Sequence, residues 1–223
     1  MQTQHAKEAP LAKHKHLILG LAVALWLIGT AIGLWWFQSQ NIRSFLDPNQ
    51  PPPAAPEVEQ QLHALVANHA DVVKRTAPVT LLHFWNPDCL CNQVSQRHFD
   101  GLLAKTSAEE LEIVVVAPAS ASAETLEEFR RLNPPRIKLM QLEADEFRPS
   151  SSPSMALISN RDGAGKQSGI DGYELGYYGA YGFGALCTVA SDDFFPNIVR
   201  KMTAGSYGPF LNVAGSGCFC EWP

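Results

Sequence analysis

The stretch that decides the fold is Val79-Thr80-Leu81-Leu82-His83-Phe84-Trp85-Asn86-Pro87-Asp88-Cys89-Leu90-Cys91-Asn92. It opens with a short apolar run that ends at Asn-Pro-Asp, a pattern typical of a buried β-strand. The residues from Asn92 to Lys105 predict a helix, so Cys89 and Cys91 stand where a strand passes into a helix. Unpaired N–H groups and the positive end of the helix dipole favour a thiolate at such a place, which makes the cysteine nucleophilic.

Apolar runs and periodic segments extend this pattern along the chain. Val58, Leu62, Leu65 and Val66 recur at helical spacing and predict an amphipathic helix before the first strand. The predicted order is α-β-α-β-α-β-β-β-α plus a tail, which indicates an α/β domain with a mixed sheet flanked by helices. The other predicted elements are strands at 111–117, 137–142, 154–159 and 174–181, helices at 123–132 and 192–202, and a turn at 160–163.

The lead-in to the cysteines resembles the active site of the thioredoxin-like superfamily. That family has a strand ending like Phe84-Trp85, then three residues, then the attacking cysteine, here Cys89. Ser152-Pro153 resembles the family's cis-proline loop, which lies against the redox cysteines. The resemblance covers roughly residues 57–204. It implies thiol–disulfide exchange in which Cys89 attacks, Cys91 resolves the mixed disulfide, and the Ser152-Pro153 loop shapes the surface that docks an extended substrate chain.

The sequence departs from the family's pattern at two places. One residue, Leu90, separates the cysteines where the family has two, so Asn92 stands at the usual position of the second cysteine. His83 occupies the strand position of the family's buried proton-carrying acid, and it is either a general acid/base or a buried histidine with satisfied hydrogen bonds. A Cys89–Cys91 disulfide would close a very small ring, and a strained disulfide exchanges readily.

A second C-x-C pair, Cys218 and Cys220, lies in a glycine-containing tail, and Cys187 precedes the last predicted helix. Three interpretations compete. In the first, Cys89/Cys91 is the working pair, and Cys187, which we expect near Cys89, or the tail pair is an accessory redox relay. In the second, the two C-x-C pairs converge as a four-thiolate site for Cu(I) or Zn(II), which soft thiolates select. In the third, Cys187 bonds a tail cysteine and pins the tail.

An uncharged apolar run, Leu17–Phe37, precedes the domain. At ~1.5 Å per residue it reaches ~31 Å, about the hydrocarbon thickness of a bilayer. A buried core helix and a cleaved signal peptide are the alternatives, but the run is long for a signal and exits into bulky Trp-Trp-Phe. Cations concentrate before the run, and only Arg43 follows it before Lys74, so the positive-inside rule predicts a cytoplasmic N-terminus.

The predicted organisation has five parts. Residues 1–16 are a cytoplasmic N-terminus, 17–37 a transmembrane helix, and 38–56 a proline-rich semi-rigid spacer. Residues 57–204 are the thioredoxin-like domain, and residues 205–223 are the tail with its glycines and cysteines.

Composition limits the possible functions. A net charge of −5 gives no basic footprint for nucleic acid, and a 46% hydrophobic share supports a folded core. We therefore predict a single-pass inner-membrane protein whose domain lies in a bacterial periplasm and exchanges disulfides with protein thiols, served by a membrane electron-transfer partner and needing no cofactor. The alternatives are a Cu(I)- or Zn(II)-binding protein and a non-catalytic interaction domain.

Overall fold

The computed structural model describes residues 10–49, 51–160, 174–184, 186–187, 191–205 and 207–223. The chain divides into two compact units, Met1–Gln40 and Asn41–Pro223. The first unit is formed by helix α1, Pro10–Asn41. Its segment Lys15–Phe37 has a mean hydropathy of 2.4, and none of it is buried inside the protein. Among the described residues this is the one helix long and apolar enough to cross a membrane, as predicted.

The second unit alternates helices and strands in the predicted order. Its helices are α2 (Ala55–Asn68), α3 (Cys91–Lys105), α4 (Ala123–Leu132) and α5 (Phe194–Thr203). Its strands are β1 (Ile42–Ser44), β2 (Val79–Phe84), β3 (Leu111–Ala117), β4 (Ile137–Gln141), β5 (Ser154–Ser159), β6 (Glu174–Ala180), β7 (Phe210–Asn212) and β8 (Ser216–Cys218). The predicted turn at 160–163 falls largely on residues 161–163, which lie outside the described residues.

A six-stranded mixed sheet in the order β4-β3-β2-β5-β6-β7 forms the centre of the unit. Strands β2, β3 and β4 are parallel, β5 is antiparallel to both β2 and β6, and β7 is parallel to β6. Both β2 and β3 are buried at every position, because helices and loops cover both faces of the sheet. The predicted α/β fold with a mixed sheet flanked by helices is confirmed.

The two faces of the sheet carry separate apolar cores. Leu82, Phe84 and their neighbours pack against α2 and against residues of the C-terminal segment. Leu81 and its neighbours on the opposite face pack against α3 and α5. Successive side chains of a strand point to opposite faces, so this division follows directly from the alternation along β2.

The strand register brings three chain segments to one edge of the sheet. Phe84, the last residue of β2, pairs with Ser154, the first residue of β5. Ser154 also pairs with Ala180, the last residue of β6. Because β5 is antiparallel to both neighbours, the loop that follows β2 and the loop that precedes β5 must lie side by side.

The structure differs from the predicted spacer at residues 38–56. Ile42–Ser44 form β1, which pairs antiparallel with β8, and Phe45 is fully buried. The Phe45 ring packs edge-on against Phe219 at a centroid distance of 5.3 Å, and its N–H donates to the Gly215 carbonyl at 2.9 Å. A single large aromatic side chain is enough to draw this part of the chain into the core.

The tail at 205–223 also contributes regular structure. Strand β7 joins the central sheet beside β6, where Gly179 has a φ of +140°. A Cβ at that glycine would overlap the Asn212 backbone, so only glycine permits this close approach. Strand β8 then pairs with β1, in the register Ile42 to Cys218.

Candidate functional site

Cys89 and Cys91 lie where the loop after β2 leads into α3, as the sequence predicted. Cys91 is the first residue of α3, and Cys89 stands two residues before it. The turn is built on Asn86, whose carbonyl accepts from the Cys89 N–H at 3.0 Å and from Asn92 Nδ2 at 2.6 Å. The Asn86 side chain accepts from the Asp88 N–H at 3.1 Å. An asparagine that bonds the backbone two residues on is a common turn former, and it holds both cysteines at the helix start.

The predicted Cys89–Cys91 pairing is wrong. Cys89 forms a disulfide with Cys220, and Cys91 forms one with Cys218. Their Cα–Cα distances are 5.8 and 5.4 Å, which fall in the ordinary disulfide range. The tail runs opposite to the segment that carries the first pair, so each cysteine faces a distant partner and no three-residue ring is needed.

The two disulfides are close neighbours. The Sγ atoms of Cys89, Cys91 and Cys220 all lie within 4.8 Å of one another. Cys89 and Cys91 are buried, whereas Cys218 and Cys220 are partly exposed. Cys218 is not a member of this close group, and the four-thiolate metal site stays a prediction.

The Ser152-Pro153 loop lies against these disulfides. Its peptide bond is cis, as the resemblance implied, and Ser152 is fully buried. The Ser152 carbonyl accepts from the Cys220 N–H at 2.7 Å, and the Ser152 N–H donates to the Cys220 carbonyl at 3.0 Å. The Cys89 Sγ lies 3.5 Å from the Ser152 carbonyl oxygen. Ser152 thus contacts both sulfur-bearing residues of one disulfide.

The Ser152 side chain ties the same loop to the end of β2. Its Oγ donates to the Phe84 carbonyl at 3.3 Å and accepts from the Asn86 N–H at 3.0 Å. Because the strand end and the loop share these bonds, the distance between Cys89 and Ser152 is set by buried hydrogen bonds and not by the disulfide alone.

His83 lies on the sheet face opposite to Phe84, and its Nδ1 is 2.8 Å from the Tyr181 hydroxyl. Its ring packs against Phe99 at a centroid distance of 4.7 Å. Burial lowers the pKa of His83 to about 3 and raises the pKa of Tyr181 well above its usual value, so both groups are neutral in this hydrogen bond. Neither contact is to a cysteine, and the role of His83 as a proton carrier stays a prediction.

Cys187 is the one free cysteine, and it is buried. The prediction that it bonds a tail cysteine is wrong, because both tail cysteines are bonded elsewhere. It is also not a member of the close sulfur group that we expected it to join through Cys89. Its carbonyl lies 2.7 Å from His98 Nε2, and burial raises the pKa of its thiol to about 11. A thiol in that state is a poor nucleophile at neutral pH.

Residues 58–222 match the model of a protein family described as Domain of unknown function (DUF6436). The chain belongs to the DUF6436 family. The matched region contains all five cysteines and begins after α1. Comparison with curated proteins found no match.

The described residues form surface cavities, two of which have volumes of several hundred Å³. One, of about 760 Å³, is lined by residues of α2 and of the acidic segment 143–148, and no cysteine lines it. The other, of about 600 Å³, is lined by Arg43, Arg148 and Glu221 among others, and Glu221 directly follows Cys220. The second cavity therefore reaches the residue next to the Cys89–Cys220 disulfide.

Sequence reasoning missed several residues of this site. Asn86 carried a detectable signal, since Asn-Pro after an apolar run marks a turn. No local sequence pattern indicates that Tyr181 is the partner of His83, because ninety-eight positions separate the two residues and only the strand register brings them together. The pairing of Ser152 with Cys220 likewise depends on where the tail folds, which no local pattern records.

Proposed function

We propose that this chain is a membrane-tethered thiol–disulfide oxidoreductase on a thioredoxin-like frame, and that its working disulfide is Cys89–Cys220. The observation that carries the proposal is the position of Cys89. It stands at the start of a helix, bonded to a cysteine on a terminal segment, with a third sulfur within 4.8 Å. A thiolate released there is stabilised by the positive end of the helix dipole, which makes it both a competent nucleophile and a good leaving group.

The likeness to thioredoxin-like proteins is supported by the way the loops meet. The loop after β2 carries Cys89, and the Ser152-Pro153 loop before β5 lies beside it with a 3.5 Å approach to the sulfur. This is the arrangement that the sequence resemblance led us to expect. The resolving cysteine differs, since Cys220 of the tail takes the place that the resemblance gave to Cys91.

The exchange needs two sulfur displacements. In the reduced protein the Cys89 thiolate attacks one sulfur of a substrate disulfide, and the other substrate sulfur leaves as a thiolate. The Cys220 thiolate then attacks the Cys89 sulfur, which releases the second substrate thiolate and restores Cys89–Cys220. Two electrons pass from the protein to the substrate, and the same steps in reverse oxidise a substrate dithiol.

Cys91–Cys218 acts as the anchor in this scheme. Cys91 is 1% exposed, and Cys218 lies on β8 in register with Ile42. While this bond holds, Cys220 remains two residues from a fixed point after the working disulfide opens. The resolving thiol therefore stays at a high effective concentration beside Cys89, and the mixed disulfide is short-lived.

Helix α1 supplies the tether. The excess of cations before the apolar segment favours an N-terminus in the cytoplasm and a domain outside it, in the periplasm of a bacterium. Disulfides persist in that compartment, and protein thiols and disulfides are the substrates available there. Electrons would be supplied or accepted by another membrane protein, which the tether keeps near.

Cysteine variants of the full chain in detergent test the proposal. The reduced protein should reduce a model disulfide such as oxidised glutathione, and Cys89→Ser should abolish this reaction. Cys187→Ser is the matched control, because it removes a cysteine outside the disulfides and should leave the rate unchanged. Full activity in Cys89→Ser, or mass-spectrometric mapping that finds no Cys89–Cys220 bond in the oxidised protein, would contradict the proposal.

A second candidate function rests on the same sulfur group. Once reduced, the thiolates of Cys89, Cys91 and Cys220 lie close enough to converge on one soft ion, Cu(I) or Zn(II). Such binding requires both disulfides to open, whereas the exchange reaction requires only one. Metal analysis of the fully reduced chain decides between them: stoichiometric metal that is lost in Cys91→Ser favours the binding protein, and metal-free protein with exchange activity favours the enzyme.

A further inference from the structure

The last four residues, Cys220–Pro223, are here called the flap. The flap lies antiparallel to Ser152 and takes both of its backbone hydrogen bonds, at 2.7 and 3.0 Å. Its first residue is bonded to Cys89. An extended segment therefore already occupies the backbone edge beside the proposed nucleophile, and it presents a sulfur to that nucleophile.

Two further contacts fix the flap beyond its cysteine. The Glu221 carbonyl accepts from Asn86 Nδ2 at 3.2 Å. The Trp222 ring meets Phe84 edge-on at a centroid distance of 6.0 Å. Phe84 and Asn86 both belong to the short segment that leads into Cys89. The site thus contacts an extended chain at the cysteine, at the next carbonyl, and at an aromatic ring two residues after the cysteine.

The chain before the flap is held independently. Cys218 is bonded to Cys91 and pairs with Ile42, and Phe219 is 2% exposed, with its ring against Phe45. When Cys89–Cys220 opens, the flap loses its only covalent cross-link to the rest of the domain, whereas Cys91–Cys218 still holds the chain before the flap. The remaining ties of the flap are two backbone hydrogen bonds, one side-chain hydrogen bond, one ring contact and an exposed ion pair between Glu221 and Arg43.

Building on the exchange function proposed above, we infer that the flap is a built-in occupant of the substrate site. The substrate that replaces it is an extended protein segment with a cysteine followed two positions later by an aromatic residue. A partner strand of this kind offers Ser152 the same donor and acceptor that the flap offers, and it presents its aromatic ring to Phe84. Backbone pairing supplies the affinity, and the ring supplies the selectivity.

Release of product and return of the flap are then one event. In the mixed disulfide the substrate sulfur is bonded to Cys89, and the substrate strand occupies the Ser152 edge. The Cys220 thiolate attacks the Cys89 sulfur, the bond from Cys89 to the substrate breaks, and the substrate leaves as a thiolate. The flap recovers its hydrogen bonds with Ser152 in the same step, so substrate and flap compete for a single edge.

The test uses the full chain carrying Cys220→Ser, in detergent, with Cys91–Cys218 verified by mass spectrometry. Cys89 is then a free thiol. The probes are two peptides of the same composition, Ser-Phe-Cys-Glu-Trp-Pro and its reversed sequence, each activated as a mixed disulfide with thionitrobenzoate. The Cys89 thiolate attacks the peptide sulfur and releases thionitrobenzoate, whose absorbance reports the rate. The symmetric aromatic reagent from which thionitrobenzoate derives is the small-molecule reference.

We expect the first peptide to react about tenfold faster than the reversed one, a difference of about 1.4 kcal/mol in transition-state binding. Adding Trp222→Ala should weaken the flap and speed the first peptide further, relative to the small reagent. Glu127→Ala is the matched control, because Glu127 pairs with Arg130 on the exposed surface of α4, outside the flap, and its loss should leave the peptide ranking unchanged.

The outcomes separate the two proposals. If the small reagent reacts at Cys89 but both peptides react at equal rates in both backgrounds, the flap merely pins the tail and this inference is overturned while the exchange function stands. If Cys89 reacts with no reagent although the chain retains the circular dichroism of the wild type, the exchange function fails, and the inference fails with it.

Discussion

Removing each disulfide separately, and then both together, should show that their contributions to the free energy of unfolding are strongly non-additive. The sequence separations are 131 for Cys89–Cys220 and 127 for Cys91–Cys218. In the chain-entropy treatment either bond alone closes a loop worth about 5 kcal/mol. Once one bond is in place, the other closes only the small ring of residues 89–91 and 218–220, a loop of about six residues worth about 2 kcal/mol.

The double variant Cys89→Ala/Cys220→Ala should therefore lose only about 2 kcal/mol, and Cys91→Ala/Cys218→Ala about the same. The variant that lacks all four cysteines should lose about 7 kcal/mol, well above the sum of the two. Urea unfolding of the full chain in detergent, followed by circular dichroism, measures each value. A loss near 5 kcal/mol for either pair alone, or simple additivity of the pairs, would refute the reasoning.

This non-additivity has a functional consequence. An enzyme that opens a lone disulfide across such a long loop would lose most of that bond's stabilisation in every cycle. While Cys91–Cys218 is closed, opening Cys89–Cys220 lowers the free energy of unfolding by only about 2 kcal/mol, the value for the loop of about six residues. If Cys89–Cys220 opens and closes as proposed, Cys91–Cys218 would let it do so without unfolding the domain, which is a physical reason for a second C-x-C pair.

Three further predictions concern buried groups away from the disulfides. Cys187 should resist iodoacetamide at pH 8 in the native protein and react fully in guanidinium, since burial raises its pKa to about 11; labelling of the native thiol, read by mass spectrometry, would contradict its placement. Because His83 has a pKa of about 3 against an ordinary 6.5, the unfolded state binds its proton first, and stability should fall by up to about 1.4 kcal/mol per pH unit as pH drops below 6.5. His83→Asn offers Tyr181 both a donor and an acceptor and should flatten that slope in urea titrations; an unchanged slope would mean that His83 does not titrate as described. Glu112 is buried, pairs with Lys138 and accepts from the Lys74 N–H at 3.0 Å, so Glu112→Ala should cost about 2–4 kcal/mol in urea unfolding while leaving the reactivity of Cys89 intact, and a change in that reactivity would tie the two regions together.

The regular elements of the central sheet were predictable because their signals are local. Strand β3 has the predicted bounds, since an apolar run interrupted only by Glu112 is typical of a strand buried on both faces. Helix α4 also has the predicted bounds. It begins after Ser122, whose side chain accepts from the Thr125 N–H at 3.2 Å, and it ends before consecutive prolines.

The tail was not predictable, because its structure depends on distant partners. Strands β1, β7 and β8 have three residues each, too few for an apolar alternation to show. Two C-x-C pairs allow three connectivities, and spacing alone cannot choose among them. The sequence identified the four cysteines that come together, but the antiparallel course of the tail decides which ones bond. The lability expected of a strained Cys89–Cys91 ring does not apply here, because each of these cysteines bonds a tail cysteine.

The anchor of the tail is also part of the connection to α1. Strand β1 follows α1 directly in the chain, and its first residue, Ile42, pairs with Cys218. The residues after the apolar helix therefore do not serve only as a spacer, because they complete the small sheet that holds the resolving segment. Without β1, strand β8 would lose its pairing partner, and the segment that carries Cys218 and Cys220 would be held less firmly. The three residues of β1 thus both follow α1 in the chain and pair with the strand that carries Cys218.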